Sequence, residues 1–145
     1  MCEAPRVEDG GRSDTDRSSL CLSCGLCCQG ILHDLVPLDE DELERAARLR
    51  LPLFESPLRL AFQLPCPRLE ERRCTVYAER PRTCATYACA VLRAYGSGEI
   101  DEPTALSRIE RVREQSALVA RTQDEASRAE ARRELSWMRL NWFDP

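Results

Sequence analysis

The chain has 145 residues, 43% of them apolar and only 6% aromatic, and a formal net charge of −4. That length suits one compact domain, and so few aromatic residues leave part of the stability to cross-links or metal. All 21 basic residues are arginines interleaved with acids, so no basic stripe is offered to nucleic acid, and the apolar runs are far too short to span a bilayer.

Residues 1–18 read as a disordered leader, mixing charged and small residues without the apolar stretch of a secretory signal. The expected location is therefore the cytosol. A dense cysteine run follows, and "ILHDLV" after it is apolar enough for a short strand. "PLDEDELERAARLR" predicts a helix with Asp39 as N-cap, acids in the first turn, and Leu43, Ala46, Ala47 and Arg50 on one side. Four prolines, at 52, 57, 65 and 67, predict an irregular or extended segment over 51–67. A further helix is expected over "RPRTCATYACAVLRAYG", with Pro81 at its first position and Gly96 as its C-terminal cap. "GSGEID" reads as a flexible joint. Beyond it, Pro103 to about Arg121 carries Leu106, Ile109, Val112 and Val119 on a helical stripe. A last helix from about Gln123 to Asn141 spaces Ala131, Leu135, Met138 and Trp142 in the same way. These two predict an antiparallel hairpin packed on the cysteine domain; a partner-docking surface at "WMRLNWF" is the alternative. The expected fold is mainly α with little β. A small irregular metal-stabilised cysteine-cluster domain spans 19–95, a linker 96–102, and a C-terminal helical hairpin 103–145.

Nine cysteines are the chemical signal. Cys2 stands alone in the polar leader. The other eight, Cys21, Cys24, Cys27, Cys28, Cys66, Cys74, Cys84 and Cys89, are the candidate metal ligands. In a reducing cytosol disulfides are disfavoured, and clustered thiols point to metal or redox chemistry. In "CLSCGLCC" the spacing Cys-x-x-Cys occurs twice in succession, and each such turn brings two sulfurs to one side. Similar spacing serves zinc and iron–sulfur centres, so zinc, iron or an iron–sulfur cluster would each suit these donors. Cys84 and Cys89 would lie about 140° apart on a regular helix, and the consecutive side chains of Cys27 and Cys28 diverge. Either two four-cysteine sites use all eight thiols, or one cluster leaves four spare.

A thiolate centre is negative and needs cations nearby. Arg68, Arg72, Arg73, Arg80 and Arg82 lie among the later cysteines, with Arg80 best placed beside Pro81 and Cys84. His33, the only histidine, is read as a surface or structural residue, with metal ligation or general-base duty as the alternatives. No phosphate-cradling glycine loop or nucleophile triad is legible, and no catalytic residue is assigned.

"CLSCGLCC" followed by "CPRLEERRCTVYAERPRTCATYAC" resembles the CxxCxxCC cysteine-cluster family of the YkgJ type, described as zinc- or iron-chelating. The resemblance runs through Cys21, Cys24, Gly25, Cys27 and Cys28. It continues through Cys66, Pro67, Leu69, Cys74, Tyr77, Arg80, Pro81, Cys84, Tyr87 and Cys89, and so covers about residues 21–89. Val76 replaces the usual isoleucine, and Ala85 the arginine that commonly follows the cysteine. The resemblance implies metal chelation without naming a reaction; some relatives are associated with flagellin lysine methylation, but no methyl-donor site is legible here. A metal-binding protein is the leading expectation. An iron- or iron–sulfur-dependent redox or modification enzyme, whose C-terminal helices bind substrate, is the second. A disulfide-rich interaction module is the third.

Overall fold

In the computed structural model, which describes residues 11–144, the first helix α1 (Asp14–Cys24) is started by a capping box. Ser13 Oγ accepts the Asp16 N–H at 3.2 Å, and the Asp16 carboxylate accepts the Ser13 N–H at 3.3 Å. The helix thus occupies residues 14–18 of the stretch expected to be a disordered leader. Ser-x-x-Asp just ahead of the cysteine run is the local signal that orders it. Cys2 lies outside the described residues.

α1 ends at Gly25, whose φ of +66° opens a tight turn to Gly30. Of "ILHDLV", only Leu35 and Val36 join the first strand, β1 (Leu35–Pro37). A 3-10 turn (Glu40–Glu42) with Asp39 at its N-cap leads into α2 (Leu43–Arg48). The tighter first turn rotates the helix, so Glu42, Ala46 and Leu49 are buried, while Leu43, Ala47 and Arg50 stay exposed.

Residues 51–67 are more regular than the prolines implied. β2 (Leu53–Ser56) and β3 (Arg59–Gln63) form an antiparallel hairpin whose turn is Pro57–Leu58, and β1 pairs with the other edge of β3. Pro52 precedes the first strand and Pro57 sits in the turn, so neither removes a ladder hydrogen bond. A second, minimal hairpin joins β4 (Leu69–Glu70) to β5 (Arg73–Cys74) through Glu71 and Arg72, both at positive φ.

The helix expected over 81–96 is two helices. α3 (Arg82–Thr86) stops where Tyr87 turns extended, and α4 (Ala90–Ser97) begins after Cys89, its N-cap. The C-cap is Gly98 at φ +80°, not Gly96, which is buried inside α4. α5 (Glu102–Arg121) and α6 (Glu125–Met138) are started by Asp101 and Asp124, which accept the N–H of Thr104 and Ser127. They form the expected hairpin, pinned by Gln115 Nε2 donating to Ala131 O at 3.1 Å. On α5 the buried face is Ala105, Ile109, Val112 and Gln115; Leu106, placed on the stripe by spacing, is 45% exposed and Val119 is half-buried. α6 runs on as a π-helical turn (Arg139–Phe143) that seats Phe143 in the core. Helix accounts for 56% and strand for 12% of the described residues, so the fold is mainly α with little β.

The interior has two parts. Leu20, Leu26, Val91, Ile109, Val112 and Met138 form a core shared by α1, α4, α5 and α6. Leu38, Ala46, Leu49, Leu51 and Phe62 form a smaller one between α2 and the sheet. Five cysteines lie on these cores: Cys24, Cys27 and Cys89 pack against the helical core, Cys66 and Cys84 against the sheet core.

Candidate metal centre

α1 carries Cys21 and Cys24 one turn apart, hence on one face of the helix. Gly25 then reverses the chain so that Cys27 and Cys28 follow in the turn. A Cβ at Gly25 would lie 2.8 Å from the carbonyl oxygen of Arg72, so the β4–β5 turn rests directly on the glycine of the cysteine run. Cys66 is held beside Cys28 by its N–H, which donates to the Cys28 carbonyl at 2.7 Å. The second hairpin returns Cys74 to the same place: Leu69, its strand partner, donates to Cys66 O at 3.2 Å, and Thr75 N–H donates to Arg68 O at 2.9 Å.

Cys84 is positioned by a clamp on α3. Buried Glu42 accepts the Arg82 N–H at 2.6 Å through Oε1 and the Asp39 N–H at 3.2 Å through Oε2, while Thr83 Oγ1 donates to Pro37 O at 2.8 Å. The Arg82 guanidinium pairs with Asp39 and Asp41, so it serves this clamp rather than the thiols. Cys89 Sγ caps α4, accepting the Leu92 N–H at 3.4 Å.

Six of the eight sulfur-bearing residues, Cys21, Cys27, Cys28, Cys66, Cys74 and Cys84, line one cavity of about 180 Å3. Cys24 and Cys89 do not line it; they pack on the helical core alongside Cys27. All eight are free thiols, so no disulfide joins Cys27 to Cys28 or any other pair among the described residues. Among those residues, no three Cys, His, Asp or Glu side chains are already closed to ligating spacing.

Burial is the main influence on these thiols. Loss of water pushes Cys24, Cys28 and Cys84 up to about 12, and Cys27, Cys66 and Cys89 also upward. Neighbouring thiolates add to this at Cys24, Cys27, Cys28, Cys66 and Cys84, whereas Cys89 is eased by backbone N–H groups and Arg93. Without a cation the thiols raised in this way are neutral at pH 7. With one, the same sulfurs become a soft donor set, which is the chemistry zinc and iron take.

Of the arginines singled out in the sequence, Arg72 and Arg80 line the cavity. Arg80 lies over the Tyr77 ring at 3.7 Å and donates to Tyr77 O, and its charge eases ionisation of Cys84. Arg68 donates to Leu49 O at 2.7 Å and acts on Cys66; Arg73 is exposed on β5. Arg113, which spacing gave no reason to choose, reaches from α5 to the Cys24 carbonyl and pairs with Glu110 at 2.6 Å. Arg93, one turn into α4, acts on Cys89.

His33 stands in the wall between this cavity and a second cleft of about 350 Å3, edge-on to Tyr87 with ring centroids 5.0 Å apart. Burial, then Arg139, holds it below its ordinary value, and its Nε2 is buried without a partner among the described residues. Ser136, Arg139, Leu140 and Phe143 supply the far side of that cleft.

Fold and donor set define a small helical cysteine-cluster protein. The chain belongs to the CxxCxxCC family, whose description reads "Putative zinc- or iron-chelating domain": the family model matches residues 20–117. The match extends past the 21–89 of the sequence resemblance, through α4 and most of α5, and so includes Arg93 and Arg113. No curated protein and no solved structure gives a significant match to the chain. No helix among the described residues is long and apolar enough to cross a membrane.

Proposed function

We propose that the chain is a metal chelator in which Cys21, Cys24, Cys27, Cys28, Cys66, Cys74, Cys84 and Cys89 hold zinc or iron, the iron as ions or as an iron–sulfur cluster. One observation carries this reading. Six free thiols, from α1 and its turn, from Cys66 ahead of β4, from β5 and from α3, line one cavity, and Cys24 and Cys89 pack on the helical core beside Cys27. A bound cation would hold them as thiolates and link α1 and α4, which share the helical core, to the β4–β5 hairpin and α3. Arg80, Arg113, Arg93 and Arg68 offset the negative charge that results. The reading fits a reducing compartment such as the cytosol, where the thiols stay free.

Protein purified without oxygen tests it. Colourless protein with stoichiometric zinc, or brown protein with iron and acid-labile sulfide, is the expected outcome and names the metal. Metal-free protein that takes up neither ion overturns it, and a lack of titratable thiols would restore the disulfide alternative.

A redox or modification enzyme is favoured by a different observation: the cleft lined by the C-terminal helix shares His33 and Tyr87 with the cysteine cavity. In the same preparation, an iron centre that is bleached by dithionite and restored by air supports that second reading.

A further inference from the structure

We infer that the eight thiols divide into two adjacent four-cysteine centres: Cys21, Cys24, Cys27 and Cys89 form the first, and Cys28, Cys66, Cys74 and Cys84 the second. This rests on the chelation reading and adds the partition to it.

Packing on the two cores sorts five of the cysteines. Cys24, Cys27 and Cys89 lie on the core of α1, α4 and α5, and Cys66 and Cys84 on the sheet core. Cys21 joins the first set because it shares a face of α1 with Cys24, one turn away. Cys28 joins the second through the 2.7 Å bond from Cys66 N–H to its carbonyl. Cys74 joins it through the hairpin that pairs Leu69 with Cys74 while Leu69 N–H holds Cys66 O.

Two local features of the chain acquire a reason from this division. Side chains of consecutive residues diverge, so Cys27 and Cys28 cannot readily serve one ion but can serve one each. On an unbroken helix, Cys84 and Cys89 would point about 140° apart. Instead the extended residue Tyr87 ends α3, leaving Cys84 against the sheet core and Cys89 at the start of α4.

Cys21 and Cys27 also line the cavity that Cys28, Cys66, Cys74 and Cys84 line, which makes the two centres neighbours rather than distant sites.

Cobalt(II) titration of the reduced, metal-free full chain reads the partition through thiolate-to-cobalt absorption. Two equivalents are expected for the wild type, one for Cys24→Ser/Cys89→Ser, and one for Cys66→Ser/Cys84→Ser. The crossed variant Cys24→Ser/Cys84→Ser should lose high-affinity uptake at both centres. A wild-type endpoint at one equivalent overturns the partition. So does one within-set variant losing all uptake while the other keeps the full wild-type amount. A wild type that takes no cobalt overturns the chelation reading instead. Should a variant fail to fold, the wild type decides alone: at one equivalent of zinc, alkylation mapped by mass spectrometry should protect thiols in these two sets of four. Protection that mixes the sets overturns the partition.

Discussion

Gly25 joins backbone conformation to the site in a single residue. Its φ of +66° is the left-handed region, and a Cβ there would stand 2.8 Å from a backbone oxygen of the β4–β5 turn. Neither atom can swing aside as a side chain would. Gly25→Ala is therefore expected to cost at least the ~1–2 kcal/mol of left-handed strain, and to push the turn carrying Arg72 away from the cysteine run. A lower denaturation midpoint together with weaker metal retention would show it; an unchanged midpoint would contradict the close approach. Gly96 is a useful contrast, because the atoms nearest a Cβ there belong to the exposed Arg17 side chain, with Cδ at 2.9 Å. The motif marked Gly25 as part of the pattern, but the reason for it lies in a turn 47 residues away in the chain. The spacing makes Gly96 the helix cap, but "GSG" holds two glycines, and the backbone path chooses Gly98.

At the scale of elements, long periodic segments were legible and short ones were not. α5 and α6 announce themselves by apolar spacing and by an aspartate ahead of each. The hairpin of β4 and β5 has only two residues per strand and a turn of Glu71 and Arg72, neither of which favours positive φ, so nothing local marks it. The break between α3 and α4 also escapes the helical reading of residues 81–96, because nothing in "TYAC" marks Tyr87 as extended. What holds α3 in place is Glu42, a carboxylate only 3% exposed that receives two backbone N–H groups from different segments. Its burial was hidden in the run "DEDE", which reads as solvated surface. Glu42→Ala leaves the Arg82 N–H without its acceptor and is expected to destabilise the protein by about 2 kcal/mol. Glu42→Gln, which keeps the acceptor for Arg82, should cost about half as much. Urea unfolding of the two variants checks the order; equal midpoints for wild type and alanine variant would remove Glu42 from this role.

Across the whole molecule, the thiols lie where two modest cores meet, and metal should therefore change how stability depends on pH. In the metal-free chain, burial raises Cys24, Cys28 and Cys84 from 9.0 to about 12, so the fold prefers their neutral form. The unfolded chain ionises them near 9. Between roughly pH 9 and 12 the unfolded state thus binds fewer protons than the folded one, and stability falls as pH rises, by about 1.4 kcal/mol per pH unit for each thiol so affected. Below pH 9 these thiols contribute no slope. Metal reverses the direction, because it holds thiolates that protons must displace, so the loaded protein should lose stability as pH falls. Denaturant melts of chelator-treated, reduced protein at pH 7, 9 and 10.5 should show a flat stretch and then a drop. Metal-loaded protein compared at pH 7 and 5 should drop on acidification and release its ion. A metal-free chain as stable at pH 10.5 as at pH 7 would mean that the thiols are not held away from water. A loaded chain indifferent to acid would mean that its metal is not bound through sulfur.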